Sequence, residues 1–465
     1  MVFSSLPFLY IFLPLVLLFY YVAPRKYRNT VLLLFSLGFY FFGEQLYTVL
    51  LLISSISDFI FSLLIEKNRD KPRRTKGLMI AAVAVSLAML GFFKYIDFFI
   101  VTANSIFGSD IPLTGVPLPI GISFFTFQTM SYTIDVYRGN VRAQANFTTF
   151  ATFVCLFPQL VAGPIVRYSE IEVELESRKE RVGDIAAGIR RFCVGLAKKV
   201  LIADSLGYLV EIFRDSQEQS VLFYWLYAFA FAGQLYFDFS GYSDMAIGLG
   251  RMFGFKFPEN FNYPYVSRSI TEFWRRWHIT LGRWFRDYVY IPMGGNRVKA
   301  GRWVVNIAVV WALTGLWHGA DWNFILWGLM MAVFLLMERL FLSKLLERTW
   351  RPLAHIYTMF FIIISFVLFN GEGISGAMSD LAGLFGIGGI PVAGAESIYY
   401  LRSYGWLFVL AIIGATPLLK YIAQDKLRQD SKLRWLEPVL VAAALILVTA
   451  NLVDGSFNPF IYFRF

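Results

Sequence analysis

Histidine is scarce in this chain, with three in 465 residues. One of them, His318, sits in WALTGLWHGADW at the end of an apolar run. An ionisable side chain is expensive there, so function is the first reading and a buried, hydrogen-bonded structural histidine the second. An imidazole of ordinary pKa near 6.5 is mostly neutral at pH 7 and able to take a proton. Gly315 and Gly319 flank it and leave room for another backbone or a slender substrate. His278 lies in SITEFWRRWHITLGRWFRDYVYIPMGGNR, where Trp274, Trp277, Leu281, Trp284 and Tyr288 recur three and four residues apart. That spacing predicts one amphipathic interfacial helix. Its arginines, among them Arg275, Arg276 and Arg283, suit either a basic face gripping anionic lipid or a cytosolic phosphate-binding funnel. His355, beside Pro352, is read as structural.

Other polar groups stand out against their surroundings. In QLYFDFSGYSDMAIGLG, Asp238 and Asp244 accompany Ser240, Tyr242 and Ser243 next to apolar helix. They either pave a polar cavity or cap a helix break. The tail SFNPFIYFRF carries a single phenol, Tyr462, among aromatics that ordinarily anchor at a membrane interface. The histidines and carboxylates form no metal-ligand pattern, and no phosphate-binding glycine loop or serine-nucleophile elbow occurs. Cys155 and Cys193 fit neither a disulfide framework nor a zinc site.

The elements that position these groups follow from composition. The chain is 57% hydrophobic, 18% aromatic and only 16% charged, too little polar surface to coat a soluble globule. Apolar windows at 7–23, 47–65, 78–93, 404–419 and 438–453 are each long enough to cross about 30 Å of hydrocarbon as a helix. Further spans are expected at 118–137, 221–237, 303–317, 324–337 and 355–369. The segment 148–165, broken by Pro158, Gly163 and Pro164, suits a re-entrant hairpin. The expectation is an all-α polytopic protein of about a dozen transmembrane and re-entrant helices around a central tunnel. One domain covers 1–465, with the tail 455–465 as a short outer-face motif. The net charge of +10 arises largely in short loops. Lys67, Arg69, Lys71, Arg73, Arg74 and Lys76 mark one loop as cytosolic, which places both termini outside.

Long strings of the sequence resemble the membrane-bound O-acyltransferase family. The resembling branch O-acetylates alginate, other exopolysaccharides or peptidoglycan in bacteria. The strings include MVFSSLPFLYIFLPL, LPIGISFFTFQTMSYTIDVYRG, FPQLVAGPIVR and LTGLWHGADWNFILWG, besides those quoted above. The resemblance implies that His318 is the family's membrane-embedded histidine and His278 the second polar position of the same tunnel. It also implies that FIYFRF is a C-terminal motif whose Tyr462 relays the acyl group. One departure is Asn370 in FVLFNGE, where relatives often carry Arg.

On that basis the expected donor is cytosolic acetyl-CoA, with no permanently bound cofactor, and its phosphates cannot cross the apolar layer. Arg275, Arg276 and Arg283 are expected to hold the CoA head, His318 to act as general base and His278 to orient or polarise the thioester. The acyl acceptor beyond is a periplasmic or extracellular serine-type acetyltransferase partner. Membrane lipids surround the protein, no nucleic acid is involved, and the location is the bacterial inner membrane. Two other readings are D-alanyl transfer from a carrier protein for teichoic acid modification, and a transporter or flippase. The latter calls for paired half-sequences, which this chain lacks.

Overall fold

A computed structural model describes residues 2–422, 435–454 and 460. The described residues are helical with no strand. Among the described residues, seven helices are long and apolar enough to cross a membrane: Tyr47–Lys67, Pro72–Phe107, Ala300–His318, Trp322–Arg348, Arg351–Phe369, Ala395–Gly414 and Leu436–Asp454. Each has at most half of its apolar window buried, so large apolar faces remain for lipid. Phe8–Val22 is a shorter apolar helix.

The remaining apolar windows form helices of another kind. Ile122–Arg138 has 14 of its 17 residues buried and is rich in Ser, Thr and Gln. Val221–Met252 runs 32 residues, largely buried along its length. A helix enclosed by protein has no need of an oily surface, because its hydroxyls bond to neighbouring helices or to its own carbonyls.

The chain divides into two compact units, residues 1–192 with 243–258, and residues 193–242 with 259–465. In the first, Phe3, Phe8, Phe12, Phe39 and Phe157 pack ring against ring. Asp58, buried within the Tyr47–Lys67 helix, accepts from Thr133 at 2.8 Å and Ser86 at 3.4 Å, which compensates its removal from water. The broken segment is helical at Phe147–Cys155, turns at Leu156, and resumes for one turn at Phe157–Leu160. Nine residues rise only about 14 Å, too short to cross. Burial on all sides lets the irregular backbone persist.

In the second unit the Ala300–His318 and Trp322–Met337 helices pack through glycine. A Cβ on Gly315 would overlap the Phe324 carbonyl, and one on Gly328 would overlap that of Trp311. Gly319 likewise receives the Phe324 ring. The space beside His318 therefore admits a neighbouring backbone and a phenyl ring, rather than a substrate, at these glycines.

The aspartates of QLYFDFSGYSDMAIGLG meet neither expectation. The helix passes through them unbroken, and both carboxylates are in ion pairs. Asp244 bonds Arg191 at 2.8 Å, while Asp238 bonds Lys199 at 2.8 Å. Lys199 also reaches Asp204 at 2.6 Å.

Candidate active site

The segment 269–290 is the most heavily remodelled relative to its sequence pattern. Instead of one helix it forms Ile270–Arg276, a break, Ile279–Phe285 and a π-helical turn Arg286–Tyr290. Ser269 caps the first piece, accepting from the Glu272 amide at 2.9 Å. The buried Glu338 carboxylate accepts from the amides of Ile270 at 2.6 Å and Thr271 at 2.8 Å, where the helix dipole favours negative charge. At the break Trp277 is extended and His278 takes φ 44° and ψ 53°. This left-handed conformation is costly for a residue with a Cβ and persists where surrounding bonds dictate it.

Those bonds come from Asn260. Its carbonyl accepts the Ile279 amide at 2.9 Å. Its side-chain Oδ1 lies 3.3 Å from the Thr280 amide, 2.9 Å from the Thr280 hydroxyl and 3.1 Å from His278 Nδ1. A backbone N–H can only donate, so the atom it meets is the amide oxygen. The imidazole Nδ1 must then carry the proton, and Nε2 is left with its lone pair. Nε2 is buried without a hydrogen-bond partner. Burial pushes the His278 pKa down to about 3, so the ring is neutral throughout the physiological range.

His318 closes the Ala300–His318 helix, 5% exposed, its ring edge-on to Trp317, Trp327 and Phe369. The two histidines line one cavity of about 180 Å³, with Trp274, Trp277, Trp311 and Thr314 among the other walls. The structure thus brings His278 and His318 together from distant parts of the sequence. It does not bring Arg275, Arg276 or Arg283 to the cavity wall. Arg275 and Arg283 are exposed, and Arg276 pairs with Glu272 at 2.8 Å. Arg286 lines the cavity instead. Tyr462 lies outside the described residues. Phe460, two positions earlier, is buried against Phe239 and Tyr242. Phe239 in turn meets the His278 ring edge-on at 4.7 Å.

His355 donates from a protonated Nδ1 to the Ser267 carbonyl at 3.0 Å, and it lies off the cavity. At the departure noted above, Asn370 Nδ2 donates to the Tyr227 hydroxyl at 2.9 Å. Arg214, from another helix, donates to that same hydroxyl and pairs with Asp380 at 2.7 Å, so a guanidinium stands beside Asn370.

Sequence reasoning missed Asn260 and Glu338, and it left Arg286, an arginine of the same segment, out of those expected to hold the CoA head. No short-range pattern links Asn260 to a histidine eighteen positions on, because the bond exists only through the His278 backbone reversal. The tautomer is directly testable, since three histidines give a simple nitrogen spectrum. With ¹⁵N-histidine, His278 is expected to show a protonated Nδ1, unchanged between about pH 5 and 8. Asn260→Asp preserves that tautomer and Asn260→Leu loses it. A protonated Nε2 in the wild type would refute the assignment.

A cavity lined by two imidazoles suits acyl transfer, and comparison with known proteins agrees. The sequence profile of the membrane-bound O-acyltransferase family matches residues 122–379, and the chain belongs to that family. It is therefore a multi-pass membrane enzyme of O-acyl transfer. A probable alginate O-acetylase of Azotobacter vinelandii is 42% identical over 83% of this chain and 79% of its own length. The peptidoglycan O-acetyltransferase of Helicobacter pylori is 32% identical over 100% and 98%. A teichoic acid D-alanyltransferase of Bacillus subtilis is 29% identical over 54% and 69%.

Proposed function

We propose that this enzyme takes acetyl groups from cytosolic acetyl-CoA and passes them across the bacterial inner membrane. They would serve O-acetylation of an extracytoplasmic polysaccharide, alginate-like or peptidoglycan, through a periplasmic serine-type transferase. The observation that carries the reading is the single cavity walled by both His278 and His318. The similarity to acetylases over most of the chain supports acetyl as the cargo.

In this reading His318 is the general base, removing the proton of the attacking hydroxyl as its oxygen bonds to the thioester carbon. The role of His278 is narrower than its sequence suggests. With a lone pair at Nε2 it cannot donate to a thioester carbonyl, so it orients substrate by accepting a hydrogen bond from an N–H or O–H. Arg286 on the cavity wall, with Arg275, Arg276 and Arg283 on the same segment, gives the CoA phosphates their counter-charge. The attacking hydroxyl is that of Tyr462, which carries the acetyl onward as an aryl ester.

The test is incubation of the purified protein in nanodiscs with acetyl-labelled CoA, followed by mass spectrometry. Label on the C-terminal peptide containing Tyr462 is expected. Release of free CoA on adding the external partner, with no residue labelled, would remove the tyrosine from the route. Absence of both would sink the acetyl-CoA reading.

A further inference from the structure

Glycine weakens a helix, and it is kept there where a positive φ or a close neighbour requires it. Gly315, Gly319 and Gly328 have such neighbours, as described above. Gly282 has neither reason. It sits in the middle of the Ile279–Phe285 helix, is not among the glycines of positive φ, and donates its amide to the His278 carbonyl at 3.1 Å. A Cβ built on it would meet no atom within 4 Å beyond its own helix. Gly282 is nonetheless on the wall of the cavity that holds both imidazoles, and it is exposed, so a ligand in the cavity can touch it.

Two helical stretches supply this wall, and they run in opposite directions. His278 meets Trp317 ring to ring at 5.8 Å, while further along the same stretch Tyr290 accepts the Trp303 indole N–H at 3.2 Å. On the first stretch His278, Gly282 and Arg286 line the cavity at successive turns; on the second Val310, Thr314 and His318 do so. Four residues of helix rise about 6 Å, so each trio spans about 12 Å. Arg286 therefore marks one end of the cavity and the imidazoles the other, with Gly282 midway. A thioester donor whose charged head is held at Arg286 and whose acyl carbon is presented to His318 must lay its arm past Gly282.

We infer that Gly282 is a specificity-determining position, whose missing side chain keeps the middle of the cavity open for the slender, unbranched arm of the thioester donor. The inference rests on the acetyl-CoA reading and deepens it. In a cavity of about 180 Å³, a leucine side chain at this point would stand where the arm must lie. Neither Arg286 nor the histidines would be altered, so the obstruction is confined to the arm. The open space at the Gly282 Cβ means that such a side chain displaces ligand rather than protein.

The experiment uses wild type, Gly282→Leu and, as a control, Gly405→Leu, each purified in nanodiscs. Gly405 lies inside the Ala395–Gly414 helix, also has open space at its Cβ, and is off the cavity. Acetyl transfer from acetyl-labelled CoA should fall about 10²-fold or more in kcat/KM for Gly282→Leu, and stay within about threefold of wild type for the control. Binding gives a second readout, with CoA and with phospho-ADP, the nucleotide head of CoA without its arm. Gly282→Leu should bind CoA at least about tenfold more weakly than wild type, and phospho-ADP equally well. Transfer or CoA binding within about threefold of wild type overturns the assignment, as expected of a glycine turned to lipid. Equal loss of transfer in Gly405→Leu, or loss of phospho-ADP binding in Gly282→Leu, overturns it too, because the damage is then general. Should Gly282→Leu not fold, Gly282→Cys decides. Benzyl methanethiosulfonate added to that folded protein should abolish transfer, and CoA should protect the thiol. Cys155 and Cys193 are buried, and wild type treated alike gives their contribution. Transfer that survives full modification overturns the assignment. A wild type that neither binds CoA nor transfers acetyl from it overturns the acetyl-CoA reading itself, and the role of Gly282 falls with it.

Discussion

His318→Ala protein, purified in nanodiscs, is expected to transfer acetyl about 10²- to 10⁴-fold more slowly than wild type, the span that a positioned general base contributes. The ring is 5% exposed and packed edge-on by Trp317, Trp327 and Phe369, whose side chains are not bases. The other imidazole on the cavity is neutral and pinned by Asn260, with its pKa pushed down to about 3, a poor base for a phenol. Removing the ring also opens a hole in the packing, so the melting temperature is followed in parallel, and His318→Gln supplies a larger replacement. Activity within fivefold of wild type in a protein that melts normally would exclude His318 from proton transfer.

Lys199→Met is expected to destabilise the fold by about 3–5 kcal/mol, the range seen when one partner of a buried ion pair is removed. Lys199 bonds Asp204 at 2.6 Å and Asp238 at 2.8 Å, and the side chains of Lys199 and Asp238 are 5% and 1% exposed. Without the ammonium, the buried Asp238 carboxylate and the partly exposed Asp204 carboxylate lose their shared counter-charge. The check is thermal unfolding in detergent, with a lowered midpoint for Lys199→Met that is partly restored by adding Asp238→Asn. A single variant that melts like wild type would show that solvent reaches this cluster. The same comparison separates stability from chemistry, because these residues do not line the histidine cavity.

The helical, membrane-spanning character was legible because it is a bulk property. A helix surrounded by lipid must be apolar along its outer face, and windows such as 47–65, 303–317 and 355–369 announce themselves in the helices Tyr47–Lys67, Ala300–His318 and Arg351–Phe369. The sequence singles out His318 for the converse reason, since an ionisable side chain at the end of an apolar run is costly, and the structure places it on the cavity. The segment around His278 misled in one respect. Its three-and-four spacing of aromatics is genuine, and Trp277, Leu281, Trp284 and Tyr288 are all buried. Periodicity reports which residues face the core, yet carries no sign of a single residue with positive φ between two short helices. The aspartates of the Val221–Met252 helix misled for a related reason. Their partners Lys199 and Arg191 come from a separate part of the chain, so the sequence displays the charge but not its neutralisation.

By itself, then, the sequence determined that this protein lives in a membrane, that it is helical, and that His318 and His278 are its most reactive-looking groups. Each of these is a local or summed property of side chains, set by transfer free energy between water and hydrocarbon. Tertiary structure alone decided that the two imidazoles share a cavity and that Asn260 sets the tautomer of one of them. Those facts depend on angles and distances between elements far apart in the chain. A hydrogen bond is directional and short-ranged, so it comes into being only once packing has brought donor and acceptor to about 3 Å.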